Sequence, residues 1–95
     1  MVALVTLEEM KVQLRIFSDA ANTEIETWIE AAHGRVLRHI KASDEQVAAM
    51  NNRDQQAIKV GEILAVKALY EGAEDAPMTP AVLMVLHDLR DPSLA

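Results

Sequence analysis

The residues able to do chemistry are few and scattered. Glu30 and His33 stand three apart, a spacing that places both on one face of a helix. Carboxylate-bridged di-metal bundles use two such Glu-x-x-His pairs plus two further Glu. The chain has three His, at positions 33, 39 and 87, and neither His39 nor His87 follows a Glu by three residues. With half of that pattern missing, Glu30 and His33 read as solvated polar side chains, and neither metal nor cofactor is expected. His87 and Asp88 would supply a base beside an acid, but adjacent residues on a helix do not face each other. No Ser stands in a nucleophile's context, and there is no Cys at all. Gly34, Gly61 and Gly72 are isolated, so no phosphate-cradling loop is formed. No catalytic residue is expected, and the chain does not read as an enzyme.

The totals narrow the class. At 95 residues the chain is long enough for one domain, 1–95. Hydrophobic residues make up 51% and aromatics only 3%, so the core must be built from Ala, Val, Ile, Leu and Met, as in helical proteins. Without Cys, a disulfide framework and a thiolate metal site are excluded. The formal charge is -6, from 9 bases against 15 acids. A DNA-grasping surface needs clustered Lys or Arg to displace counterions, and here the bases are dispersed. The apolar run Met1 to Val5 is too short for a membrane span, and no membrane partner is expected.

The pattern predicts an all-α fold: an irregular bundle of about four helices. A short N-terminal helix, about 7–14, starts at Thr6-Leu7-Glu8-Glu9, where Thr6 and Glu9 have capping-box spacing and Val5 and Met10 the spacing of a hydrophobic staple. The long helix, about 20–41, carries Ile25, Trp28, Ile29, Ala32, Val36 and Ile40 at steps of three and four. Ser18 or Asp19 is placed to cap it. Gly34 within it costs up to ~1 kcal/mol relative to Ala and reads as a tolerated Gly near solvent. Residues 42–53 read as a loop with one helical turn capped by Ser43 and Gln46, closed by the break Asn51-Asn52. The third main helix, about 54–71, is apolar nearly all round and stops at Gly72. Thr79-Pro80 opens the last, about 80–90, and Asp91-Pro92 closes it.

The candidate core is Leu7, Met10, Leu14, Ile25, Trp28, Ile29, Ala32, Val36, Leu64, Leu69, Val82 and Leu86. Trp28 is the expected packing centre of the three larger helices, with the first lying across them. An all-round apolar helix cannot be covered by three short neighbours, so spare surface is expected at a subunit contact. The candidate oligomer or partner interface is Val60, Ile63, Val66, Tyr70, Leu89, Arg90, Pro92 and Leu94.

The two ends of the chain carry a recognisable pattern. The start reads Val5-Thr6-Leu7-Glu8-Glu9-Met10-Lys11-Val12-Gln13-Leu14-Arg15-Ile16. The end reads Pro80-Ala81-Val82-Leu83-Met84-Val85-Leu86-His87-Asp88-Leu89-Arg90-Asp91-Pro92. With the acidic-led long helix and the Ala-rich third helix between them, the chain resembles the small head–tail connector proteins of tailed bacteriophages and prophages. The family's closing double Leu is Val85-Leu86 here, and residues 42–53 lack the aromatic and Gly content common in relatives.

The resemblance implies a structural protein of the virion, made in the bacterial cytoplasm. It implies a homo-oligomeric ring, dodecameric in the family, that docks under the portal protein and links it to a second connector or tail-completion protein. Genomic DNA would pass through the channel without specific binding, and no cofactor or activity is implied. A charge of -6 then suits acidic residues facing the channel, since each neutralised phosphate would slow passage. Leu86 to Ala95 is the segment expected to dock on a neighbour. The competing reading is a small DNA-binding or DNA-packaging regulator of helix-turn-helix type.

Overall fold

The computed structural model describes residues 3–89, apart from the side chain of Asp88. The described residues contain five α-helices and no strand, so the chain is an all-α bundle. In chain order these are α1 (Leu7–Leu14), α2 (Asn22–Ile40), α3 (Asp44–Ala49), α4 (Asn52–Glu71) and α5 (Pro80–Leu86), with a 3₁₀ turn at His87–Leu89.

The helix ends follow local chemistry. Thr6 Oγ1 accepts the Glu9 amide at 3.1 Å, and the Glu9 carboxylate accepts the Thr6 amide at 3.0 Å. Two orphan donors of the first turn are satisfied by this one reciprocal pair. Ser43 and Gln46 make the same arrangement at the start of α3. Asn51 accepts the Asp54 amide at 2.8 Å. The residue read as part of a break is therefore the cap of α4, and the helix begins at Asn52 rather than near 54. Thr79 caps α5 with Pro80 at the first helical position. Gly72 ends α4 at φ 73, the left-handed conformation that costs glycine least.

The long helix differs from expectation at its start. Neither Ser18 nor Asp19 caps it; the N-cap is Ala21, with no side-chain bond. Asp19 is drawn elsewhere, accepting Lys11 Nζ at 2.9 Å across the turn between α1 and α2. The same oxygen lies 3.4 Å from the Asn22 side-chain amide, so Asp19 touches the start of α2 without capping it.

The bundle is organised around α4. Helices α2 and α5 lie along it, and α1 packs on both α2 and α4. Ile25, Ile29, Ala32 and Val36 of α2 share one buried cluster with Ile58, Ala65 and Val66 of α4, Met10 of α1, and Val82 and Leu86 of α5. Leu7, Leu14, Trp28 and Leu64 are half-buried against that cluster, and Leu69 is half-buried. Trp28 is thus not the packing centre that its size suggested. It sits at the margin, edge-on to Tyr70 at 5.9 Å between ring centroids. The centre is aliphatic, and it contains an ionisable pair.

Gly61 is where α5 approaches α4. A Cβ built there would meet Leu86 Cδ2 at 3.0 Å. The side chain of Leu86 is fully buried, so the missing methyl is what lets this leucine seat.

Candidate functional site

His33 projects from the core-facing side of α2, between Ile29 and Val36, which are also buried. It is completely buried, and so is Glu62 of α4. The pairing expected for His33 was with Glu30 on its own helix, both solvated. Glu30 is indeed exposed, but His33 points the other way. Its Nδ1 meets Glu62 Oε2, and its Nε2 lies 2.7 Å from Asp44 Oδ1. An imidazole is therefore clamped between two carboxylates from two other helices.

Glu62 does a second job. Its Oε1 accepts the backbone amides of Leu4 at 3.0 Å and Val5 at 3.2 Å. These bonds span more than fifty residues and pin the segment before α1 onto α4. Val5 is itself buried, so its amide has no water to turn to. Asp44 is the first residue of α3 and its side chain is 44% exposed. One end of the chain of contacts is thus wet and the other is dry.

The electrostatics follow from that geometry. Burial works against a charged imidazole, but the hydrogen bonds to Asp44 and Glu62 outweigh it and hold His33 above its ordinary value. Burial pushes the Glu62 carboxyl up, against the pull of His33 and of the Val5 and Leu4 amides. Both directions mean that the His33–Glu62 pair holds on to a proton.

Neither ring nitrogen is open to a substrate, since each already meets a carboxylate. The nearby Ser43 hydroxyl is occupied in capping α3. Among the described residues no group of three His, Asp or Glu side chains is arranged to hold a metal ion. His39 is half-buried and His87 exposed.

The surface offers a different feature. Val12 of α1 is 64% exposed, and Val60 and Tyr70 of α4 are 43% and 49% exposed. A cleft between α1 and α4 is lined by Glu9, Val12, Gln13, Lys59, Val60 and Ile63. A second, sharing Gln13, continues past Leu14 and Lys67 to Tyr70. Together they make one strip along the outward side of α4, framed by the Lys59–Glu9 ion pair. Of the candidate interface residues, Val60, Ile63 and Tyr70 lie on this strip. Val66 does not: it has no exposed surface and belongs to the buried cluster, because helices packed on α4 cover the side that it occupies. Leu89 is half-buried against the core. Arg90, Pro92 and Leu94 lie outside the described residues. On α5, Met84 is 80% exposed.

Comparison of the chain with protein-family models, with curated proteins and with solved structures gives no match. No helix among the described residues is long and apolar enough to cross a membrane.

Sequence reasoning missed Glu62 and Asp44. A signal for Glu62 existed: it follows Ile58 by four and precedes Ala65 by three, in register with the buried face. A carboxylate there has to find a partner. His33 stands in the same relation to Ile29 and Val36. Nothing in the sequence pointed to Asp44, which reaches His33 only because the turn after α2 folds α3 back.

Proposed function

We propose that this chain is a structural connector subunit of the type found at the head–tail junction of tailed bacteriophages, acting by assembly and without catalysis. The observation that carries the reading is the strip of Val12, Val60 and Tyr70 on the outward side of α4. A chain this small has used α4 as its central helix and still leaves large apolar side chains open on it. Large apolar side chains left open along one side of a helix in this way fit a contact with another chain. The opening and closing sequence motifs supply the type of assembly: a ring of identical subunits beneath a portal, with DNA passing through. The acidic balance of the chain accords with a conduit that does not grip phosphates.

The test is native mass across a concentration series, followed by electron microscopy of the largest species. Rings support the connector. A discrete dimer that binds duplex DNA with steep salt dependence overturns it in favour of a helix-turn-helix regulator.

A further inference from the structure

The long helix α2 presents to solvent a face on which charge is sorted rather than mixed. Glu24, Glu26 and Glu30 are exposed in its first half, and Arg35, Arg38 and the C-cap Lys41 in its second. We propose that this face is a contact surface for a second copy of the chain, laid antiparallel so that the acidic half of each α2 meets the basic half of the other. The contact is separate from the α1–α4 strip and does not depend on the assembly reading.

A solvated helix gains from opposite charges three or four residues apart. Within α2 no Glu stands at that distance from an Arg. Instead Glu26 and Glu30 are four apart, and Arg35 and Arg38 three apart, so like charges are neighbours and oppose the helix slightly. Among the described residues, Glu24, Glu30, Arg35 and Lys41 make no ion pair within the chain. Arg38 donates to the Gly34 carbonyl at 3.4 Å. The helix dipole accounts for Glu24 in the first turn and Arg38 in the last. It does not account for Glu30 and Arg35, which stand in the middle of a helix of 19 residues, where that field has faded.

The order of the charges names the occupant. A second α2 laid parallel would set acid on acid and base on base. Laid antiparallel, it brings acids to bases twice over, once on each side of a two-fold axis near the middle of the helix. A surface that complements itself in this way is what a symmetric pair of identical chains requires. The chain as a whole carries -6, whereas acids and bases balance on the solvent side of α2, so a second copy meets least repulsion there. Thr27, Ala31 and Gly34 follow one another along the middle of the face at steps of four and three. Their short side chains leave room for a neighbouring helix between the two charged ends.

The experiment is sedimentation velocity on the full chain at low and high salt, with two variants whose helicity is checked by circular dichroism. E24K/E30K turns the face mainly basic, and R35E/R38E turns it mainly acidic. The parent is expected to associate at low salt and to do so less at high salt, because exposed charges are screened. Each variant alone loses this association by about tenfold or more, since several exposed pairs turn from attractive to repulsive. An equimolar mixture of the two variants restores it as a one-to-one complex. Contact through the apolar strip is not weakened by salt and does not respond to mixing, so the two surfaces are read apart. A parent without salt-weakened association overturns the proposal, whether or not the variants fold. So do variants that each associate like the parent, or folded variants that stay apart when mixed.

Discussion

His33 on α2 and Glu62 on α4 meet with no exposed surface on either side chain. Burying two ionisable groups is costly, and their attraction offsets that cost only when the remaining polar atoms are also satisfied. Here they are: Glu62 Oε1 accepts two amides, and His33 Nε2 faces the accepting carboxylate of Asp44. Glu62→Ala strands the imidazole and two backbone donors together. Breaking a buried pair by removing one partner costs roughly 3–5 kcal/mol. Urea unfolding monitored at Trp28 should show that loss. H33L combined with E62L should recover only part of it, because the buried Val5 amide still lacks an acceptor.

The same pair sets how stability varies with pH. His33 is held above its ordinary 6.5 in the folded chain. A raised folded value means that its contribution is fully present below about 6.5 and is lost as pH rises through the higher folded value. The raised Glu62 carboxyl has the same sign, since the folded chain keeps a proton that the unfolded chain gives up above its ordinary 4.5. Glu9 and Asp19, lowered by Lys59 and Lys11, act oppositely on the acid side. The unfolding free energy should therefore peak on the acid side of neutrality and fall through neutral to alkaline pH. Chemical denaturation at a series of pH values checks this, and E62Q should flatten the alkaline slope.

These charges show where sequence reading succeeds and where it stops. Helix starts at Thr6, Ser43 and Thr79 were legible because a cap is a local interaction with a fixed spacing. The apolar stripe of α2 was legible for the same reason. Periodicity reports which residues share a face but not which face receives a neighbour's carboxylate. His33 was therefore paired with the nearest Glu in sequence rather than with one twenty-nine residues on. Size and a place on the apolar stripe point to Trp28 as the centre, but periodicity does not say that it falls at the edge of the stripe, beside Tyr70. Asp19 was read as a cap because Lys11 could not be seen beside it.

The contact of Gly61 with Leu86 makes a separate claim. Elsewhere in a helix, Gly→Ala is favourable by up to ~1 kcal/mol. At position 61 the new methyl would press on Leu86 Cδ2 at 3.0 Å. G61A should therefore lose that gain and come out near neutral. G61L has no room at all, and overpacking of this kind costs about 1–3 kcal/mol. Its signature should be selective: hydrogen exchange rises across α5 while the α2–α4 amides remain protected. L86A combined with G61L should restore part of the protection by vacating the space.

Val60 lies on the outward side of α4, 43% exposed in the cleft it shares with Val12 and Ile63. Substitutions at such surface positions usually change stability by less than about 0.5 kcal/mol. V60D should therefore leave the urea midpoint nearly unchanged. Its effect should fall on association, because an aspartate at the centre of an apolar contact has to be buried without a partner. Sedimentation velocity across a concentration series compares it with the parent chain. Loss of the larger species in V60D, with the fold intact, places the α1–α4 strip in the subunit contact. Assembly identical to the parent, in both V60D and a V12D control, removes that strip from the contact and leaves the exposed end of α5 around Met84 as the surface to vary next.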